Sequence, residues 1–358
     1  MGSPPNAVSD LSVSTSYARG LTLTWTAPYD EPASNTGKAA SYDLRYADAP
    51  AYPTTINTSW FDANWAAVQK AAKETAPLAG GQTQSFTLIC AEGVDNNTCG
   101  TTEGNIILWP NTLYYAAMRS ADDDPNTSAT SNVIAGHTAL KYGWTAFSLP
   151  YDWQSAAALK KLSDIFGDDT YGPYVFKWDS TGSGSTNGQW VDVYSSNPNI
   201  NTLTNGKGYY IYGFNMNSVL DEKDSTGAPL VTENSATPGF VMVDLELGYN
   251  LIGSPYLMNV AVDGWTYICT SSGGTVTGWN GTACAGTGTI TTYTYASAVT
   301  ATLVSNSIYY HTNQSTYAAE PYASAKLRPW WGMWVQVTWA SAPADPDGTI
   351  KLIIKRPP

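Results

Sequence analysis

Histidine is almost missing: the 358-residue chain has two, His137 and His311. Neither stands beside a nucleophile or in a metal-ligand spacing, and no H-E-x-x-H, G-x-S-x-G, P-loop or dinucleotide fingerprint occurs. No catalytic, cofactor-binding or metal-ligating set is therefore assigned. Charge is scarce as well. Asp, Glu, Lys and Arg make up 13% of the chain, about half the usual ~25%. The 17 basic residues stand against 29 acidic ones, a net charge of −12. Nucleic acid and anionic membranes both need clustered positive charge, so neither is an expected partner. No apolar run approaches the ~20 residues of a membrane-spanning helix, so direct membrane insertion is not expected.

Cysteine is sparse but patterned. The four fall into two local pairs, Cys90 with Cys99 and Cys269 with Cys284. Neither pair has C-x-x-C spacing or a histidine at ligand distance, which argues against zinc, iron–sulfur and haem. Each brackets a Gly/Asn/Thr-rich stretch, and the reading is two local disulfides, with free thiols as the alternative. Disulfides imply an oxidising compartment. Met1-Gly2-Ser3 resembles an expression remnant, so an export signal would already have been removed. The expected location is extracellular or on the cell surface.

The chain is rich in aromatics and hydroxyl residues. It has 24 Tyr and 14 Trp, and hydrophobic residues reach 43%, enough to bury several cores. Apolar and polar residues alternate in short runs, as in half-buried strands. Leu21, Leu23 and Trp25 alternate with threonines. Tyr42, Leu44 and Tyr46 alternate with Asp43 and Arg45, and Tyr114, Ala116 and Met118 form a third such set. Leu108-Trp109-Pro110-Asn111-Thr112-Leu113-Tyr114 has the L-x-P-x-T-x-Y spacing of a tyrosine corner, in which a buried Tyr hydroxyl bonds nearby backbone. Asp62–Ala72 reads as an Ala-rich short helix, and Cys90–Ile107 as an insertion before the corner.

The Pro4-Pro5 start, LTLTW, SYDLRY, the corner and the closing SNVIAGHT together resemble a bacterial fibronectin type III domain over residues 1–139. The resemblance implies a β-sandwich that acts as a spacer or binding module.

The remainder repeats itself. Gly143-Trp144-Thr145-Ala146-Phe147-Ser148-Leu149-Pro150 recurs as Gly248-Tyr249-Asn250-Leu251-Ile252-Gly253-Ser254-Pro255. Tyr174–Trp178 with Gln189-Trp190 matches Ile308–Tyr310 with Thr316-Tyr317, Leu203-x4-Gly208 matches Leu327-x4-Gly332, and Phe240–Leu247 matches Thr349–Lys355. Matched segments in one order point to a duplicated β-module, 140–247 and 248–358. The Gly that opens each G-[YM]-[YW]-[IV] strand is expected to permit a bulge or a close backbone approach. The first copy carries a helical pattern over Ser155–Phe166. The second lacks it and holds an insertion with Cys269 and Cys284 instead. The unit resembles a "GWNLIGxP…GYWV" module of exported bacterial surface proteins, for which no catalytic role is implied.

The expected fold is thus all-β: a fibronectin type III-like sandwich plus two related β-rich modules, with two short helices. The acidic groups Asp122–Asp124, Asp168/Asp169 and Asp221/Glu222/Asp224 sit in turn-rich surroundings and read as solvated turns, with weak Ca²⁺ binding as the alternative. A catalytic carboxylate needs burial that such turns lack. One functional hint remains, the run Arg328–Trp339. Strand alternation puts Trp331, Met333, Val335, Val337 and Trp339 on one face and Trp330, Trp334 and Gln336 on the other. The second face either packs against a neighbouring module or stacks on a sugar. The leading expectation is a non-catalytic structural or adhesive protein of a bacterial cell surface or filament, contacting other surface proteins or copies of itself. The alternative is a carbohydrate-binding accessory module that takes a neutral polysaccharide on Trp330, Trp334 and Gln336. A glycan-active enzyme is the weaker alternative.

Overall fold

Period-two alternation becomes a set of antiparallel sheets in the computed structural model of the protein. It describes residues 3–48, 56–72, 74–89, 108–124, 126–140, 143–150, 175–179, 189–192, 203–213, 219–220, 239–311, 317–338 and 349–357. Cys90, Cys99, the helix expected over Ser155–Phe166, Asp168/Asp169, Asp221/Glu222/Asp224 and Trp339 lie outside these residues. The fold is all-β, with short helices between strands. It divides into two compact units, one of Met1–Pro50, Thr54–Lys141 and Met216–Val219, the other of Ala51–Pro53, Tyr142–Asn215 and Leu220–Pro358.

The first unit runs β1 (Ser12–Tyr17), β2 (Gly20–Thr26), β3 (Ser41–Asp48), β4 (Gln69–Lys70), β5 (Thr83–Leu88), β6 (Leu113–Ala121) and β7 (Ile134–His137). They form a three-stranded sheet ordered β1-β2-β5 and a four-stranded sheet ordered β4-β3-β6-β7. The alternating residues meet in one core: Leu21, Leu23, Trp25 and Leu88 from the first sheet, Tyr42, Leu44, Tyr46, Tyr114, Ala116 and Met118 from the second. Each such large side chain stabilises the sandwich by roughly 1.5–3 kcal/mol through burial. Trp25 meets Tyr42 edge-on at 5.2 Å across the core. The tyrosine corner is present, with the Trp109 N–H donating to the Tyr114 hydroxyl at 2.8 Å.

The Ala-rich helix expected over Asp62–Ala72 is displaced. A helix forms earlier, at Thr58–Asn64, where the Asn57 side chain caps it by accepting the Trp60 N–H at 2.9 Å. Beyond Asn64 the chain turns, and Gln69–Lys70 extends along the free edge of β3 as β4. Sheet hydrogen bonds there outweigh the helical propensity of the alanines.

The second unit runs β8 (Gly143–Ser148), β9 (Val175–Asp179), β10 (Gln189–Asp192), β11 (Gly208–Gly213), β12 (Phe240–Asp244), β13 (Gly248–Ile252), β14 (Val260–Ala261), β15 (Thr266–Ser272), β16 (Val276–Trp279), β17 (Cys284–Gly286), β18 (Thr289–Thr294), β19 (Val304–His311), β20 (Tyr317–Pro321), β21 (Lys326–Leu327), β22 (Met333–Val337) and β23 (Ile350–Lys355). Two four-stranded sheets have the same plan: β10-β9-β11-β8 from the first repeat and β20-β19-β22-β13 from the second. A third is shared between the repeats, ordered β12-β23-β15-β18. The segment after Trp265, read as an inserted loop, carries strands β15 to β18 and a helix over Tyr295–Thr300, capped by Thr294.

The repeats touch reciprocally, as two subunits do across a two-fold axis. With Gly143 aligned on Gly248 and Gly208 on Gly332, Phe147 corresponds to Ile252 and Lys207 to Trp331. Phe147 bridges Trp331, and Ile252 bridges Lys207. The Ser148 N–H donates to the Trp330 carbonyl at 3.2 Å, and its counterpart, the Gly253 N–H, donates to the Gly206 carbonyl at 3.0 Å. The two acceptors share a left-handed backbone, φ +80° at Gly206 and φ +67° at Trp330. The opening glycines explain themselves here. A Cβ on Gly208 would lie 2.6 Å from Leu251 Cγ, and one on Gly332 would lie 2.9 Å from the Phe147 nitrogen. Each glycine lets one repeat's strand approach the other repeat's first strand.

Cys269 and Cys284 are joined in a disulfide that ties β15 to β17. Cys269 lies in a core with Val276, Trp279 and Ile353, and Trp279 packs on Tyr267 at 4.9 Å. The bracketed hairpin is thus anchored by apolar contacts as well as by the bridge.

Candidate functional site

Alternation along the strands of the two equivalent sheets sends one set of side chains to a common face. From the first repeat these are Trp144, Phe176, Trp178, Trp190, Tyr210 and Tyr212. Their counterparts in the second are Tyr249, Tyr309, His311, Tyr317, Trp334 and Gln336. The register supports the match: Tyr210 pairs with Phe176, and Trp334 pairs with Tyr309. Trp190 pairs with Trp178, and His311 pairs with Tyr317. Gln336 is the one non-aromatic member, opposite Tyr249 on β13.

The two sets pack together. Tyr210 and Trp334 meet at 6.5 Å. Trp178 lies edge-on to Trp334 at 5.6 Å, and its counterpart His311 lies edge-on to Tyr210 at 5.9 Å. Trp190 contacts Trp334 at 5.9 Å, while its counterpart Tyr317 exchanges a hydroxyl–hydroxyl hydrogen bond of 2.8 Å with Tyr210. Edge-to-face geometry of this kind is worth about 0.5–1.5 kcal/mol per pair beyond burial. Burial, with the Tyr317 hydroxyl beside it, holds the Tyr210 phenol well above its usual range.

The face is closed at its centre and open at its margins. Tyr210 and Trp334 are buried, whereas Trp144 is 41% exposed, Trp190 42%, Tyr249 44% and Tyr317 53%. These four are two counterpart pairs, Trp144 with Tyr249 and Trp190 with Tyr317. Each rests on other rings: Trp144 on Phe176 and Tyr212, Trp190 on Trp178 and Tyr210, Tyr249 on Tyr309 and Trp334, Tyr317 on His311. Among the described residues no lysine or arginine stands on this face. The indole N–H groups of Trp178 and Trp334 are buried and make no hydrogen bond of acceptable geometry. That of Trp334 lies close enough to the Tyr210 hydroxyl to favour the phenolate electrostatically.

The residues singled out in the sequence fall differently within this arrangement. Trp334 is 6% exposed at the centre, and Gln336 is half-buried. Trp330 does not share their strand. β22 begins at Met333, and Trp330 lies in the left-handed turn before it, 3% exposed. Simple alternation through Trp330 therefore fails, because the turn breaks the period. The exposed rings Trp144, Trp190, Tyr249 and Tyr317 were signalled in the sequence only as members of the repeat. A second tyrosine corner was also missed: Tyr209 follows Leu203 by the six residues that separate Tyr114 from Leu108, and its hydroxyl accepts the Thr204 N–H at 2.6 Å.

Other chemistry is weakly represented. Among the described residues no group of three or more His, Cys, Asp or Glu is placed to hold a metal ion. Asp122, from the acidic run of the first unit, is buried and accepts the backbone N–H and side-chain amide of Asn126 at 2.7 Å each, which closes a turn.

No family model matches the chain, and no curated protein matches it. Among solved structures, the family 28 exopolygalacturonase of Yersinia enterocolitica aligns with a TM-score of 0.21 and 18% identity, over 43% of this chain and 23% of that one. The chain thus spans less than a quarter of the enzyme's length. Similarity at that level carries no argument about function.

Proposed function

We propose that the chain is a non-catalytic module of an exported bacterial surface protein, which makes its contacts through the aromatic face of the second unit. The first unit would serve as a fibronectin type III-like spacer; its three-plus-four strand order and tyrosine corner support that reading. The Cys269–Cys284 bridge and the low charge suit an oxidising, extracellular setting. Among the described residues, no helix is long and apolar enough to cross a membrane.

One observation carries the proposal. Four large rings stand more than two-fifths exposed, in two counterpart pairs, each braced by further rings. Rings held this way lose little freedom on binding, which is what makes a contact surface effective. The test uses cells of the producing organism that lack the protein. Purified wild-type chain is expected to bind their surface, and a Trp190→Ala/Tyr249→Ala variant to lose that binding with an unchanged far-ultraviolet circular dichroism spectrum. The single Tyr249→Ser variant serves if the double one misfolds. A folded variant that binds as well as wild type overturns the proposal.

A further inference from the structure

We infer that the aromatic face of the second unit takes a neutral polysaccharide, whose pyranose rings lie against Trp144, Trp190, Tyr249 and Tyr317. The inference rests on the reading of this face as the contact surface and names the class of its partner.

The chemistry of the exposed groups selects that class. A pyranose presents C–H bonds on its flat faces and hydroxyls around its edge. The face of an aromatic ring carries negative potential, so it attracts the weakly positive C–H groups. Among the described residues, four of the five large hydrophobic side chains exposed in the second unit are rings, and each bears an N–H or O–H at its tip; the fifth is Leu247. A protein-binding surface also favours Tyr and Trp but commonly adds arginine, and none stands on this face among the described residues. This one pairs flat apolar area with polar tips, as a sugar does.

Charge narrows the choice further. The chain carries −12, and no lysine or arginine stands on the face among the described residues. A uronate or sulfated polymer would meet repulsion and no counter-charge. A neutral glycan meets neither penalty.

Trp334, 6% exposed at the centre, contacts two of the exposed rings, Trp190 and Tyr249, and so holds them in place from below. Gln336 adds a side-chain amide that can donate and accept.

The experiment is affinity electrophoresis of the full chain in native gels containing hydroxyethyl cellulose, galactomannan, a soluble β-1,3-glucan or polygalacturonate, followed by titration of tryptophan fluorescence with any polymer that retards it. Retardation by at least one neutral polymer and none by polygalacturonate is expected, unchanged by added salt. Trp190→Ala should weaken binding at least about ten-fold, equivalent to ~1.4 kcal/mol. Failure of all three neutral polymers overturns the inference, as does retardation by polygalacturonate alone. Treating the cells of the previous test separates the two proposals. A mixture of glycoside hydrolases that cut cellulose, mannan and β-1,3-glucan should abolish binding. Loss after protease with survival after the glycoside hydrolases would reject the glycan and leave the contact surface standing.

Discussion

The tyrosine corner of the second unit offers the most direct check on how the chain is held together. Tyr209 is 3% exposed, and its hydroxyl accepts the Thr204 N–H at 2.6 Å. Burial pushes its phenol up, opposed by hydrogen bonds from Thr204. Tyr209→Phe removes one oxygen and little volume, so the cavity contribution is small. What remains is a part-buried N–H without its acceptor, which costs about 1–3 kcal/mol. Taking ~2 kcal/mol, and a shift of about 2–4 °C per kcal/mol for a unit of this size, the melting temperature should fall by ~4–8 °C. Differential scanning calorimetry measures this directly, and the transition that moves should be that of the second unit. Tyr249→Phe is the control: its side chain is 44% exposed, so its effect should stay within about 0.5 kcal/mol. Tyr114→Phe, at the matching corner, should cost a similar amount in the first unit. Coincident melting of Tyr209→Phe and wild type, or an equal loss in Tyr249→Phe, would refute the corner as a stabilising element.

Three further outcomes are expected. Replacing Cys269 and Cys284 by serine removes a bridge across a sequence separation of 15; the loss of chain restriction should lower stability by up to about 3 kcal/mol, read from the urea midpoint. Gly332→Ala would place a methyl 2.9 Å from the Phe147 nitrogen and 3.1 Å from the Ala146 carbonyl carbon. It should destabilise the second unit by more than a surface Gly→Ala change at Gly239, where a Cβ meets nothing within 4 Å. Trp334→Ala should cost ~3–5 kcal/mol, as truncation of a buried aromatic does, and is expected to lower the thermal transition even without any ligand.

Much of this architecture was legible because it depends on short spacings. The buried set Leu21, Leu23 and Trp25 follows from alternation alone, and the Tyr114 corner from one seven-residue run. The shared plan of the two four-stranded sheets was foreshadowed by the paired segments, and the reciprocal contacts of Gly208 and Gly332 give the physical reason for their glycines. The remainder depends on partners distant in sequence. Gln69 and Lys70 are strand residues only because β3 leaves an edge to fill. Trp330 breaks the alternation because it stands where the first repeat has Gly206, in a left-handed turn that a tryptophan rarely adopts. The exposed rings share a face only because β8, β11, β13 and β22 are brought together, and no local pattern reports that placement. The sequence also pointed to Trp330 and Trp334 as a pair, whereas four rings at the margins carry the exposure.

The pairing of β12 with β23 has a kinetic consequence. Phe240 pairs with Lys355 and Asp244 with Lys351, so the strands meet only after a chain of more than a hundred residues closes into a loop. β23 also lies between β12 and β15 and hydrogen-bonds both, which makes it the strand on which that sheet waits. Non-local pairings of this length slow folding, because the entropy of closure is lost before the contacts form. During synthesis β12 would emerge long before its neighbour, with its ladder groups unsatisfied. A chain cut before Ile350 should accumulate as a partly ordered, aggregation-prone species even though every residue of the aromatic face is still present.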